Sequence, residues 1–354
     1  MSRGPLSGVT RRDFMNAASA AGAAAILPLS HSAGEAAQAA QAKTWQIGCH
    51  SRPFGSFRAA QTGNPDYVLD SVKAAGYQYA DMISAAPPAA GRAGGAPAAG
   101  GNAVPGTGGA RGRGAVAVTP EMIAAMKQKL AARGLRSNIA SLPTTPATMP
   151  LADAIAAAQR VVANAHALGQ RFALNLGLYD EDLWLDWCKV MREAAAYGQE
   201  RGVKVVVKHH HGLNNTSLDL LAWVKQVNHP NFGVFVDPGN IVYYTGKDAV
   251  KQTAIIASHV AGVVAKDCTA PHFLEREAGA PPFGNPPGAP GNPEVMIQFG
   301  TGKVDFARLF KVLKDAGFNG PVMVEGTAQG ATLQETVANA RANREFLVKI
   351  FASL

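Results

Sequence analysis

The stretch Gly202-Val203-Lys204-Val205-Val206-Val207-Lys208-His209-His210-His211 decides the fold. A helix is predicted over 182–201, Gly202 ends it, and the valine-rich run that follows predicts a strand over 203–209. This strand passes directly into polar residues, so ionisable side chains stand at its carboxyl end. A helix, a glycine stop, an apolar strand and a polar exit are the parts of one unit of an α/β fold.

The same order of strand and helix recurs on both sides of this stretch. Strands are predicted over 45–50, 77–83, 135–142, 171–177, 203–209, 232–237, 259–267 and 321–325. Helices are predicted over 67–75, 119–133, 152–168, 182–201, 217–227, 248–258, 305–316 and 333–351. Eight strand–helix units in about 310 residues favour an α/β fold of the (β/α)8 TIM-barrel type in a single domain. A doubly wound open sheet is the alternative, and in both architectures the chemistry lies at the carboxyl ends of the strands.

The composition excludes several classes of protein. The chain has 354 residues, of which 47% are hydrophobic and 16% charged, so it is apolar enough to bury a large core. It is too apolar for a disordered protein and too rich in alanine and glycine for a coiled coil. Three cysteines and the absence of a C-x-x-C pair argue against a disulfide framework or a structural zinc site.

Residues 1–42 predict an export signal. An arginine pair, Arg11-Arg12, precedes an apolar run over 17–29, and two A-x-A cleavage sites follow within 37–42. This order is typical of a bacterial signal of the twin-arginine type, which predicts an exported, periplasmic protein. The apolar run is too short to span a bilayer, so no stable membrane insertion is expected. An alanine-rich tail that happens to hold two arginines is the alternative.

The remaining chain, 43–354, is the predicted barrel, interrupted by two low-complexity segments. Residues 84–118 are rich in alanine and glycine and predict a disordered insertion after the second strand, and 269–298 form a Gly/Pro-rich loop. The net charge of +8 is not concentrated in one stripe. Residues 1–42, with three arginines and two acids, contribute +1, and residues 84–118, with three arginines and no acid, contribute +3, so the rest of the chain carries only +4. A nucleic-acid partner is therefore not expected.

Ionisable side chains follow five of the eight predicted strands. They are His50, the run from Lys208 to His211, Asp237, the pair Lys266-Asp267, and Glu325. Side chains alternate along a strand, so Lys208 and His210 share one face, and if Lys208 points into the barrel mouth then His210 does too. His209 and His211 are then expected to face the helix layer or a loop.

Two carboxylates stand directly after apolar strands. Asp237 follows Phe235-Val236 and precedes Pro238-Gly239-Asn240, and Glu325 follows Val322-Met323-Val324. A carboxylate in this position is costly to bury unless it is paired with a cation. For Asp237 the alternative is a residue that only starts a turn.

Several of these segments resemble the xylose isomerase-like TIM barrels, the superfamily of sugar isomerases, sugar epimerases and type 2 AP endonucleases. The similar segments are 194–212, Phe235–Asn240, Val263–Asp267, Gly300–Phe306 and Val322–Glu325, within a resemblance that covers residues 44–351. The resemblance implies a divalent metal held by Glu, Asp, His and Glu from strands 5 to 8. That metal would polarise a sugar carbonyl while carboxylates move a proton.

Only half of the implied metal ligands are present. Asp237 and Glu325 match, whereas Lys208 stands at the glutamate position and Ala265 at the histidine position. In one interpretation His210 joins Asp237 and Glu325 in a rebuilt site for Mn, Zn, Co or Mg, with help from His50 or His272. In the other there is no metal, and the Lys208 ammonium pairs with both carboxylates and acts as acid or electrophile.

The resemblance and the strand exits together predict a sugar isomerase/epimerase-like enzyme. It would act on a non-phosphorylated sugar or keto-sugar by proton transfer next to a carbonyl. The expected catalytic residues are Glu325, Asp237 and Lys208, and the expected substrate-binding residues are His50, Lys266, Asn240 and His272. A sugar lyase or hydratase on the same scaffold and a non-catalytic carbohydrate-binding barrel of the cell envelope are the alternatives.

Overall fold

The computed structural model describes residues 45–61, 63–85, 117–144, 149–271 and 294–354. The predicted export signal, most of the Ala/Gly-rich insertion, most of the Gly/Pro-rich loop and the candidate residue His272 lie outside these described residues. Among the described residues, no helix is both long and apolar enough to cross a membrane.

Within the described residues, eight strands form the centre of the fold. They are β1 (Ile47–His50), β2 (Tyr79–Asp81), β3 (Ile139–Leu142), β4 (Phe172–Asn175), β5 (Lys204–Lys208), β6 (Phe232–Val236), β7 (Val260–Ala265) and β8 (Val322–Val324). The described helices are α1 (Tyr67–Ala74), α2 (Pro120–Ala131), α3 (Leu151–Leu168), α4 (Trp184–Gln199), α5 (Ser217–Val227), α6 (Pro238–Thr245), α7 (Ala249–Ile256), α8 (Phe306–Asp315) and α9 (Leu333–Ser353). A 3-10 helix, Arg52–Gln61, follows β1.

The strands run parallel in the order β2-β1-β8-β7-β6-β5-β4-β3, so nearly every strand lies beside its neighbour in the chain. The two end strands, β2 and β3, are joined by a bridge between Tyr79 and Arg136 and by the bond from the Met82 amide to the Ile139 carbonyl at 2.9 Å. This closes the sheet, and the predicted (β/α)8 TIM barrel is confirmed.

A side chain completes the junction between β2 and β3. Asp81 Oδ1 accepts hydrogen bonds from the amides of Asn138 at 2.7 Å and Ile139 at 3.2 Å, in place of a longer backbone ladder. Burial raises the pKa of this carboxyl to about 7. Its other oxygen lies over Gly48, where a Cβ atom would be 2.1 Å away, so the position requires glycine.

Two apolar layers fix the direction of each strand side chain. The layer inside the barrel consists of Ile139, Phe172, Leu174, Val206, Phe235, Val264 and Met323. The larger outer layer, between strands and helices, includes Trp184 and Trp187, and both tryptophans are buried. Because alternate residues share a face, the residues two positions after Val206 and Val264, which are Lys208 and Lys266, also point inward. The barrel thus brings two lysines to its mouth.

Helix α6 is absent from the sequence-based expectation, which leaves the chain after β6 irregular. It begins at Pro238, directly after Asp237, whose Oδ1 accepts the Asn240 amide at 2.9 Å as the helix cap. An aspartate cap followed by proline at the first helical position is a usual helix start, so the signal was present in the sequence. Asp237 therefore both starts this helix and presents its other oxygen to the mouth.

Candidate functional site

Charges of opposite sign alternate around the carboxyl ends of four neighbouring strands. Lys208 ends β5, Asp237 follows β6, Lys266 follows β7 and Glu325 follows β8. Both ammonium groups contact both carboxylates, at 2.6 to 3.2 Å. We refer to these four residues as the ionic cluster. The barrel thus brings together ionisable side chains from the exits of four strands.

Lys208 is the cation that binds the carboxylates most closely. Its Nζ donates to Asp237 Oδ2 at 3.0 Å and to Glu325 Oε2 at 2.6 Å, and the residue is 2% exposed. Burial alone would lower the pKa of this ammonium, but Glu325 and Asp237 raise it above its ordinary value. An ammonium has three N–H donors, so two acceptors leave one donor for a further partner.

Lys266 was expected to bind substrate, and the structure places it within the ionic cluster. Its Nζ donates to Asn240 Oδ1 at 2.9 Å, to Glu325 Oε1 at 3.1 Å and to Asp237 Oδ2 at 3.2 Å. These three acceptors match the three N–H donors of the ammonium. Burial lowers the pKa of Lys266, although Asp237 and Glu325 act against this effect. The side chain holds both carboxylates and Asn240 in position.

The carboxylate oxygens of the ionic cluster all accept hydrogen bonds. Glu325 Oε1 also accepts from Arg52 Nη1 at 3.0 Å. Burial alone would raise the pKa of Glu325, but Lys208, Lys266 and other nearby cationic groups hold it well below its ordinary value. Asp237 is fully buried, whereas Glu325 is 6% exposed. Glu325 is therefore the carboxylate nearer to solvent.

Arg52 was not expected from the sequence, because it lies two residues beyond the strand exit at His50. Its amide donates to His50 Nδ1 at 2.8 Å, and its guanidinium reaches across to Glu325. Burial lowers the pKa of His50 to about 4, so the imidazole is neutral at pH 7. Because Nδ1 accepts, the ring proton is on Nε2, which is a donor. His50 and Arg52 thus add donors to the mouth.

The three histidines after β5 face different surroundings. His209 Nε2 lies 2.9 Å from Ser217 Oγ at the start of α5, as expected for the helix side. His210 Nδ1 lies 3.3 Å from the Tyr179 hydroxyl, and its ring centre is 5.7 Å from that of Tyr244. His211 packs against the same two tyrosines. The rings of His210, His211, Tyr179 and Tyr244 form an aromatic wall beside the ionic cluster.

The residues present do not fit a divalent metal. Within the described part of the chain, no three His, Cys, Asp or Glu side chains converge on a possible metal position. Asp237 and Glu325 are occupied by two ammonium groups, and two unit charges 4 Å apart interact by about 4 kcal/mol near a protein surface. A dication would feel about twice that repulsion from each lysine. The ring contacts of His210 described above are with Tyr179 and Tyr244.

On β7, the inward-facing position before Lys266 is held by Val264 and not by Ala265. The resemblance assigns the strand-7 histidine position to Ala265, but Ala265 packs in the outer layer. Val264 packs inside the barrel and precedes Lys266 on the same face. Val264 is therefore the residue at the inner position, and it is also unable to bind a metal.

Asp267 is turned away from the ionic cluster. Its two oxygens accept the amides of Cys268, Gly300, Gly302 and Val304 at 2.8 to 3.1 Å. A Cβ atom at Gly302 would lie 2.2 Å from Asp267 Oδ1, which explains the glycine. The Lys266-Asp267 pair thus has two functions, one in the mouth and one in anchoring the segment before α8.

These features define a TIM barrel with an ionic site at its mouth, and comparison identifies its family. Residues 69–350 match the xylose isomerase-like TIM barrel family, and the chain belongs to it. A search of curated protein sequences gave no significant match.

Solved structures with the same fold include sugar epimerases and a dehydratase. D-allulose 3-epimerase from Methylomonas sp. is 17% identical with a TM-score of 0.55, covering 87% of this chain and 98% of its own. A xylose isomerase-like TIM barrel protein from Mycobacterium smegmatis, in complex with magnesium, is 17% identical with a TM-score of 0.59, covering 88% and 98%. The probable 3-DHS dehydratase AsbF from Bacillus anthracis is 12% identical with a TM-score of 0.57, covering 86% and 98%. At these identities the likeness shows the fold.

Proposed function

We propose that the protein is a sugar isomerase/epimerase-like enzyme that transfers a proton next to the carbonyl of a non-phosphorylated sugar or keto-sugar. The observation that carries the proposal is the ionic cluster at the barrel mouth, where two carboxylates and two ammonium groups meet. Its position at the carboxyl ends of the strands is where TIM barrels hold their chemistry. Family membership and the epimerases among the structural neighbours support the same reaction class.

Lys208 is the electrophile in this proposal. It keeps a spare N–H donor, and the carboxylates raise its pKa, so it stays protonated at neutral pH. A fixed ammonium aimed at a carbonyl oxygen stabilises the negative charge that develops when the neighbouring carbon loses its proton. No step of this chemistry passes through a metal.

Glu325 is the proton acceptor, because it is the carboxylate nearer to solvent. Its low pKa makes it a weak base in the free protein, where Lys208, Lys266 and Arg52 all donate to it. A ligand oxygen that draws Lys208 or Arg52 away from Glu325 weakens their stabilisation of its carboxylate and raises its basicity. Asp237 and Lys266 keep the side chains of Lys208 and Glu325 in position through their hydrogen bonds.

The unused donors favour an oxygen-rich ligand. The oxygens of Asp237 and Glu325 already accept from protein groups, whereas His50 Nε2 and the remaining guanidinium N–H groups of Arg52 carry no partner among the described contacts. Hydroxyl and carbonyl oxygens of a sugar supply the acceptors that these donors need. The aromatic wall beside them offers faces on which the C–H groups of a sugar ring can pack.

Deuterium exchange tests the proposal without knowledge of the sugar. The protein is incubated in D₂O with a panel of free keto-sugars, aldo-sugars and 3-keto-sugars, and NMR detects deuterium on the carbon next to the carbonyl. We expect exchange with at least one sugar, and a loss of about 100-fold or more in Lys208→Met and Glu325→Gln. Lys204→Met is the matched control, since Lys204 lies on the same strand but at its amino end, where its Nζ donates to the Pro230 carbonyl.

The outcomes separate the candidate functions. Exchange that survives in both site variants would place the chemistry elsewhere. Saturable sugar binding without exchange or product would support the carbohydrate-binding alternative. Loss of water from the sugar, seen as a new olefinic signal, would support the lyase or hydratase alternative.

A further inference from the structure

We propose that Lys208 and Lys266 are the resident cations of this barrel mouth, and that no divalent metal binds between Asp237 and Glu325. The inference concerns the cofactor and holds whatever reaction the site carries out. It rests on contacts, charge and packing around the ionic cluster.

The four side chains form a closed ring of contacts. Asp237 Oδ2 accepts from both lysines, and the two oxygens of Glu325 accept from one lysine each. Each carboxylate therefore contacts both lysines. The space between the two acids is filled by protein nitrogen atoms.

The charge of the ionic cluster is already balanced. Two carboxylates and two ammonium groups sum to zero, and Arg52 beside Glu325 adds one positive charge. A divalent ion needs surplus negative charge from its ligands, and here none remains. Because both lysines are 2% exposed, solvent screens little of their repulsion toward an incoming ion.

The chain is also shaped to hold Lys266. A Cβ atom at Gly239 would lie 2.7 Å from Lys266 Cγ, and one at Gly326 would lie 3.1 Å from the same atom. Gly239 is in α6 and Gly326 follows β8, so backbone from two elements encloses the lysine stem without side chains. This packing fixes the ammonium where it contacts Asp237, Asn240 and Glu325, which distinguishes a built cation position from a chance surface lysine.

Metal content and thermal melting test the inference. The full chain without a tag is purified without chelator, dialysed, and analysed by inductively coupled plasma mass spectrometry. Melting is then followed with EDTA, with Mn²⁺ and with neither. We expect far less than one metal per chain and no change of Tm with EDTA or Mn²⁺. A stoichiometric metal that survives dialysis, or a Tm that falls with EDTA, would overturn the inference.

Two variants at one position make the test sharper. Lys208→Glu puts a third carboxylate beside Asp237 and Glu325, and we expect Mn²⁺ at about 100 times its Kd to raise the Tm by roughly 5 °C. Lys208→Met removes the same cation without adding a ligand, and its Tm is expected to stay insensitive to Mn²⁺. A Lys208→Glu protein that folds only with Mn²⁺ supports the inference equally. If Lys208→Glu does not fold under either condition, the wild-type measurements decide alone.

These readouts do not depend on turnover. A metal-free wild type that exchanges no sugar proton would refute the proposed reaction and leave the ammonium pair standing. A metal-loaded wild type that does exchange protons would refute the ammonium pair and leave the reaction standing.

Discussion

Replacement of Lys208 by methionine tests how much the ionic cluster contributes to stability. Methionine keeps most of the side-chain length and removes two hydrogen bonds, to Asp237 Oδ2 at 3.0 Å and Glu325 Oε2 at 2.6 Å. Asp237 keeps Lys266 and the Asn240 amide, and Glu325 Oε1 keeps Lys266 and Arg52. Glu325 Oε2, however, loses its only described donor.

The expected loss is about 3 kcal/mol, the lower end for breaking a buried ion pair, because each carboxylate retains other cations. For a domain of this size that corresponds to a decrease in Tm of roughly 6 °C. Urea unfolding at pH 7 measures the change in free energy. The control is Lys204→Met at the amino end of β5, opposite the mouth. It removes one hydrogen bond to the Pro230 carbonyl and is expected to lower stability by no more than about 1 kcal/mol.

A double-mutant cycle separates the pair from general damage. Glu325→Gln removes the charge that Lys208 faces, so the double variant should be more stable than the sum of the single changes predicts, by about 2 kcal/mol. A coupling of less than about 0.5 kcal/mol would show that the short contact between Lys208 and Glu325 contributes little to stability. In that case the closed ring of contacts would not explain why both lysines are buried.

Three further predictions concern other parts of the chain. The folded-state pKa of Asp81, about 7, lies above its ordinary value of 3.8, so the free energy of unfolding should fall as pH rises from about 4 to 7, by on the order of 4 kcal/mol. Urea unfolding at pH 5 and pH 8 measures this change, and Asp81→Asn should make it smaller. An equal change in the variant would contradict the raised pKa of Asp81. Gly48→Ala should lower stability by about 1 to 3 kcal/mol, because its Cβ would overlap Asp81 Oδ2. Gly55→Ala is the control and should be nearly neutral, because its Cβ meets nothing within 4 Å. Equal melting temperatures of the two variants would count against tight packing at Gly48. If the export prediction is right, conversion of Arg11 and Arg12 to lysine should leave the protein in the cytoplasmic fraction of a bacterial host, and undiminished periplasmic protein would show that the arginine pair is not read as a signal.

The barrel could be predicted from the sequence because its signals are local. Several strands, β5 among them, are valine-rich runs followed by polar residues, and helices are closed by a glycine or opened by a cap, as at Gly202 and at Thr119 before α2. Alternation along β5 shows that Lys208 and His210 share a face, and the inner apolar layer that contains Val206 shows that this face is the inner one. The resemblance matched Ala265 to the histidine position of strand 7, whereas Val264, two residues before Lys266, is the residue on the inner face of β7.

The pairing within the site is not a local property. That Lys266 contacts the same carboxylates as Lys208 depends on the alignment of β6 with β7, where the register shifts between Val234 and Phe235. Arg52 reaches Glu325 only because β1 and β8 are neighbours in the closed barrel. Contacts of this kind join residues up to 273 positions apart, and no pattern along the chain encodes them.

The same contacts link ligand binding to basicity in the proposed reaction. In the free protein Glu325 is held by three cationic side chains, which keep its pKa low and its proton affinity weak. Lys208 has one N–H donor for a ligand beside the two that bind the carboxylates, and Arg52 has further guanidinium donors. A ligand oxygen that draws either side chain toward itself lengthens the contact of that side chain with Glu325 and weakens its hold on the carboxylate. The ionic cluster would then create its base only when a substrate is present, which protects a buried carboxylate from protonation by solvent in the meantime.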